Sequence, residues 1–126
     1  MTNQQKVIEF MLAAGEPVRC SPGLPDTKQR NLRIALIAEE LQELKDTSNL
    51  EEIADAIGDL LYVVLGTAAA YGLDSQGIFD EIHRSNMTKF IDGYQRADGK
   101  YCKGPSWTPP DLKRFILQQI EPTNIQ

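Results

Sequence analysis

The chain has 126 residues, 41% of them apolar and 25% charged, with 18 acidic side chains against 13 Lys and Arg. That length predicts one domain over residues 1–126, large enough for a core and small enough to gain from self-association. The net charge of −5 argues against general nucleic-acid binding, which needs a basic surface. Cys20 and Cys102 lie far apart without zinc spacing, and are expected as two unlinked thiols in a reducing compartment. No signal-like segment or apolar run of bilayer length is visible, so a cytoplasmic protein without a membrane partner is expected.

Val7, Ile8, Phe10, Met11 and Leu12 recur at helical spacing and predict a first helix over 4–14, stopped by Gly15 and Pro17. Residues 15–25 hold three prolines and two glycines, so an irregular connection follows. Asp26 or Thr27 can cap a second helix running to about Asp46. Thr47, Ser48 and Asn49 read as a tight turn, and Asn49 with Glu52 resembles the start of a capping box. The third helix continues to about Tyr71, before Gly72, and Asp74 or Ser75 opens a fourth that reaches about Lys89. Beyond it, Gly93, Gly99, Gly104, Pro105, Pro109 and Pro110 describe a long loop, with a short helix over 111–120. No strand shows convincing alternation. The expected fold is all-α, a helical-hairpin bundle of four main helices with a C-terminal loop and short helix.

Six carboxylates dominate the chemistry: Glu39, Glu40 and Glu43 on the second helix, then Glu52, Asp55 and Asp59 on the third. Positions three and four apart stack on one helix face, so a hairpin of these helices sets two acidic clusters face to face. Leu32 and Leu36 share a stripe with Glu40 and Glu43, and the Asp55–Asp59 face runs on into Val63 and Gly66. An apolar stripe that turns acidic points its carboxylates toward the interior or into a cleft. Unpaired buried carboxylates cost on the order of several kcal/mol each, and these helices carry few cations to pair with them. Hard divalent ions such as Mg²⁺ or Mn²⁺ are the fitting partners for all-oxygen clusters.

Residues 60–65 are apolar on every side and imply burial in several directions; Gly66, Ala68, Ala69 and Ala70 then suggest close approach by a helix of another subunit. A homodimer or homotetramer is expected. A non-catalytic helical assembly module holding structural ions is the competing class. It would have no need of the cations Arg96, Lys100 and Lys103 in the C-terminal loop.

The segments 39–43 (EELQE) and 58–62 (GDLLY), joined downstream by 83–89 (HRSNMTK) and 96–100 (RADGK), resemble the all-α nucleoside triphosphate pyrophosphohydrolases. That group takes in MazG-type proteins, dimeric dUTPases and phosphoribosyl-ATP pyrophosphohydrolase, and the likeness runs from the first helix to Pro110. It implies cleavage of a nucleoside triphosphate to monophosphate and pyrophosphate, with two or three Mg²⁺ or Mn²⁺ per site. It implies Glu40, Glu43, Asp59 and Asp55 as metal ligands, with Glu39 as the group that orients or deprotonates water, or else as a further ligand or a solvated side chain. Asn86 and Lys89 match the family's Asn-x-x-Lys and imply phosphate or sugar contacts. Arg96, Lys100 and Lys103, with Trp107 to stack on a base, suggest a lid; the alternative is a packed Pro-rich tail.

One departure concerns the second acidic motif, usually Glu-x-x-Asp. Aligned on Asp59, its Glu falls on Ala56, and Asp55 one turn from Asp59 is the substitute; an alignment on Glu52 and Asp55 stays open. The chain's length and pattern resemble the phage MazZ-type branch, which implies (d)GTP as substrate, in the host cytoplasm if phage-encoded. The alternatives are dUTP or a broad range of triphosphates, and phosphoribosyl-ATP. Against the last, Tyr62 is followed by Val63 and not by the His common in that branch.

Overall fold

A computed structural model of the chain describes residues 1–120. The helices are α1 (Asn3–Ala13), α2 (Thr27–Lys45), α3 (Leu50–Ala70), α4 (Ser75–Met87), α5 (Lys89–Asp92) and α6 (Leu112–Ile120), with β1 (Tyr94–Gln95) and β2 (Tyr101–Cys102) between α5 and α6. The expected all-α fold is what forms. Two features were not foreseen, the single turn α5 and an antiparallel hairpin pairing Tyr94 with Cys102 and Gln95 with Tyr101. Strands of two residues are too short to show alternation, so the sequence read as plain loop here.

The chain divides into two compact units, one from Met1 to Leu73 and one from Asp74 onward. In the first, α3 packs against both α1 and α2. Local chemistry sets the helix starts. Thr2 closes a capping box with Gln5, Asp26 accepts from the Gln29 amide at 2.8 Å, and Asn49 accepts from the Glu52 amide at 2.8 Å; each satisfies an otherwise orphaned helix N–H. Gly15, at φ +74°, takes the left-handed conformation that ends α1 without a Cβ penalty. The connection after it is tied to the far end of α3, where Arg19 N–H donates to Ala69 O at 3.2 Å and Gly23 N–H to Tyr71 O at 3.0 Å.

The core of this unit is Val7 and Met11 of α1 against Ala69 and Ala70 of α3, flanked by Ile8, Val18, Leu65 and Tyr71. This corrects the expected use of the small residues: Ala69 and Ala70 seat α1 of the same chain, not a helix of another subunit. The apolar run 60–65 is covered in part, as expected of one chain by itself. Within the unit, Ile57, Leu61 and Val64 are 49%, 57% and 46% exposed, because α1 and α2 together cover only one side of α3. By length and composition α3 could cross a membrane, contrary to the expected lack of any such run. It carries Asp55 and Asp59, however, and packs as the central helix of a bundle.

In the second unit, Asp74 caps α4 through the Gln76 amide at 3.1 Å, and Phe115 of α6 lies where a side chain on Gly77 would stand. The Pro-rich segment is held by specific bonds. Buried Ser85 donates to Thr108 O at 2.7 Å, and Arg84 donates to Thr108 Oγ1 at 2.9 Å and Pro109 O at 3.0 Å. Asp92 accepts from the amide and hydroxyl of Ser106 at 3.1 and 2.6 Å.

Candidate active site

Antiparallel packing of α2 and α3 brings carboxylates from both helices together. Glu40, Glu43 and Asp59 offer one oxygen each, all within 4.8 Å of one another. Helical spacing supplies the first two: residues three apart face the same way. Asp59 arrives from the opposite helix.

The electrostatics are those of crowded like charges. Glu40 is pushed up to about 7, first by the hydrogen bond it shares with Glu43 when one of them is protonated, then by burial and the charges of Glu43, Asp59 and Glu39. Asp59 is raised as well, by burial and by Asp55 and Glu43. Glu40 Oε2 is buried with no hydrogen-bond partner among the described residues. A buried carboxylate oxygen without a donor is costly, and no Lys or Arg forms an ion pair with this triad among the described residues. A divalent cation removes both penalties. Oxygens bound about 2.0–2.6 Å from a hard ion stand at the separations observed here, so the donor set fits a metal.

The outer members of the two clusters fare differently. Asp55 and Glu39 act on the triad through charge. Glu52 is occupied at the start of α3, where it accepts from Ser48 N–H at 2.7 Å and Ser48 Oγ at 3.1 Å. Its carboxylate belongs to the helix cap, which favours Asp55 as the partner of Asp59.

Glu40 and Asp59 open onto a cleft of about 390 Å³. Its walls include Phe10, Leu32, Leu36, Tyr62 and Val63, so the expected stripe from Leu32 to Glu40 does line a cleft. Phe10 and Tyr62 meet edge to face with ring centres 5.7 Å apart. The same cleft holds two residues not foreseen from sequence, Glu16 and Arg33. Arg33 is only 4% exposed, and its guanidinium donates to Val63 O at 3.0 Å, Thr67 Oγ1 at 3.4 Å and Glu16 Oε1 at 3.5 Å. Burial lowers its pKa and the Glu16 charge opposes that shift. A signal was present: Arg33 stands three residues before Leu36 and seven before Glu40, on the face that turns inward.

The residues expected to touch phosphate or sugar lie in the second unit. Asn86 is exposed near the end of α4 and Lys89 half-buried at the start of α5. Arg96 is engaged at the hairpin tip by both oxygens of Asp98, at 2.9 and 2.6 Å, while the Lys100 amide donates to Asp98 at 3.2 Å. The Lys103 ammonium sits 4.3 Å from the centre of the Trp107 ring, a cation–π contact. The Trp107 indole N–H is buried without an acceptor among the described residues.

Residues 7–86 match the phosphoribosyl-ATP pyrophosphohydrolase family. An uncharacterized protein of Acanthamoeba polyphaga mimivirus, L479, is 38% identical over 104 residues, covering 74% of this chain and 41% of the viral protein. The chain therefore spans less than half the length of that relative. The family match takes in α2 and α3 with every carboxylate of the triad. The chain belongs to the phosphoribosyl-ATP pyrophosphohydrolase family, within the all-α nucleoside triphosphate pyrophosphohydrolases.

Proposed function

We propose that this chain hydrolyses the anhydride bond between the α- and β-phosphates of a nucleoside triphosphate, releasing the monophosphate and pyrophosphate. The observation that carries the reading is the carboxylate triad with its unpartnered Glu40 oxygen, two of whose members, Glu40 and Asp59, line a largely apolar cleft. Glu40, Glu43 and Asp59 would hold Mg²⁺ or Mn²⁺, with Asp55 beside Asp59 completing a site for two or three ions. When bound, the metal supplies charge neutralisation on the phosphate oxygens and lowers the pKa of water. Glu39, exposed next to Glu40, is placed to accept a proton from the attacking water or to orient it. The walls of the cleft exclude bulk water from one side of the reacting group and hold the faces of a base.

A pyrophosphate-release assay over all ribo- and deoxynucleoside triphosphates, with Mg²⁺, with Mn²⁺ and with EDTA, tests this. Metal-dependent turnover of at least one triphosphate is expected; EDTA-resistant turnover, or none, would sink it. The preferred substrate on this reading is (d)GTP, followed by dUTP or a broad range of triphosphates. A second reading, phosphoribosyl-ATP as substrate, is favoured by the family that residues 7–86 match and belongs in the same assay. We also propose self-association through the exposed stripe of Ile57, Leu61 and Val64, at spacings of four and three residues on α3. A contiguous apolar stripe of that kind is seldom left in water.

A further inference from the structure

The cleft has two polar poles. One is formed by Glu40 and Asp59 of the carboxylate triad and the other by the Arg33–Glu16 pair. On α2, Arg33 precedes Glu40 by seven residues, about 10 Å along the axis at about 1.5 Å per residue. On α3, its contacts at Val63 and Thr67 lie one and two turns beyond Asp59. That separation is about the span from the α-phosphate of a nucleotide to the far edge of its base. We propose that Glu16 and Arg33 read that edge and select guanine, an inference that rests on the triphosphate reading of the site.

The pair is fixed in place before any ligand arrives. Glu16 follows the left-handed Gly15, and its amide donates to Met11 O at 2.8 Å, which locks its backbone against the end of α1. Arg33 lies over Gly66, where an added Cβ would collide with its Nη2. Contacts to Val63, Thr67 and Glu16 use three of the five guanidinium N–H groups, leaving donors beyond those that hold it. The Glu16 side chain is 27% exposed, accepts at one oxygen from Arg33, and lines the cleft together with it.

Guanine complements this pair. Its N1–H and N2–H are adjacent donors that match a carboxylate, and its O6 accepts from a guanidinium. Adenine and cytosine turn a ring nitrogen lone pair toward Glu16 where guanine turns N1–H, so acceptor faces acceptor. Uracil and thymine offer a single ring N–H and a smaller body between Phe10, Leu36 and Tyr62. A site built to bond a substrate N–H rejects analogues that lack it, because its own buried polar groups are then left unpaired.

The test compares kcat/KM for dGTP, dITP, dATP and dUTP, and follows dGMP binding by calorimetry. Wild type should favour dGTP over dATP by about 100-fold or more, and over dITP, which lacks the N2 amino group, by about 10-fold. Glu16→Gln keeps an acceptor for Arg33 and should keep the fold, which circular dichroism would check. In that variant kcat/KM for dGTP should drop about 10- to 100-fold while that for dATP should hold or rise, because the new amide can donate to the adenine ring nitrogen, and dGMP affinity should fall in parallel. Hydrolysis without guanine preference, or a dGTP-to-dATP ratio unmoved by Glu16→Gln, overturns the assignment while leaving the triphosphate reading intact. If no triphosphate is turned over, that reading fails, and dGMP binding with its loss in Glu16→Gln still decides the base assignment.

Discussion

Two glycines of α3 should respond to the same substitution with opposite sign. Gly→Ala inside a helix stabilises by about 0.5–1 kcal/mol, since Ala loses less backbone freedom on folding. At Gly58 an added Cβ meets nothing within 4 Å, so Gly58→Ala should show that gain. At Gly66 the Cβ would run into Arg33 Nη2 and stand 3.4 Å from Val7 Cγ1. The structure can absorb the strain, at about 1–3 kcal/mol, or move the guanidinium away from Val63 O, which forfeits a charged hydrogen bond of about 1.5–3 kcal/mol. After the propensity gain, Gly66→Ala should be destabilised by about 0.5–2 kcal/mol. For a chain of this size that is a fall in Tm of roughly 2–8 °C. Urea and thermal unfolding followed by circular dichroism measure both variants side by side. Gly66→Ala as stable as wild type, with Gly58→Ala moving the same way, would refute the seating of Arg33 on α3.

Glu43→Gln and Asp59→Asn should each cost at least about 100-fold in turnover and weaken Mn²⁺ binding, with the helical spectrum preserved because a charge leaves a repulsive cluster; a variant of near-normal rate and Mn²⁺ affinity would show the ligands are elsewhere. Glu40 keeps its proton up to about 7 in the folded chain against 4.5 as its ordinary value, so between those pH values the native state binds more protons than the unfolded one. Its contribution to stability, complete below 4.5, is then lost as pH rises to 7 in metal-free protein, and Mn²⁺, which needs the ionised form, should flatten or reverse that slope; thermal melts with and without metal across this range check the sign. Glu81, held down to about 2 by Arg84 and the Asp111 amide, acts in the opposite sense, and its contribution should disappear only as pH falls from 4.5 toward 2. Ile57→Glu with Leu61→Glu should yield a folded monomer in sedimentation equilibrium, whereas Ala69→Arg should unfold the first unit; wild type sedimenting as a 14.1 kDa monomer at micromolar concentration would falsify the assembly.

The main helices were legible because their boundaries are set locally. Asp26, Asn49 and Asp74 cap with side chains two or three residues from their targets, and Gly15 and Gly72 take the positive φ that ends α1 and α3. Each signal is contained in a handful of neighbouring residues. The triad was legible for a related reason: Glu40 and Glu43 are tied by helical period, and a short turn leaves α3 little choice but to fold back beside α2. What sequence could not show were partnerships across distance. Arg33 finds Glu16 over 17 residues and Val63 over 30, and no period links those positions. The run from Gly66 to Ala70 announces close packing without saying against what, so its use by α1 emerged only from the fold.

These hidden partnerships explain why α3 tolerates an acidic cluster at all. Its N-terminal half carries like charges that oppose folding when no cation is present, as the raised Glu40 and Asp59 show. Its C-terminal half supplies the compensating cohesion, with Ala69 and Ala70 buried against Val7 and Met11 and Gly66 admitting a guanidinium that ties α2 to α3 through Val63 and Thr67. Arg33 stands between the two halves and draws its counter-charge from Glu16 rather than from the triad. Had it turned toward Glu40, the repulsion would be neutralised internally and the reason to bind a cation would vanish. Because Arg33 is paired with Glu16, the charge of the triad stays uncompensated by any cation among the described residues, and a divalent ion could supply the balance.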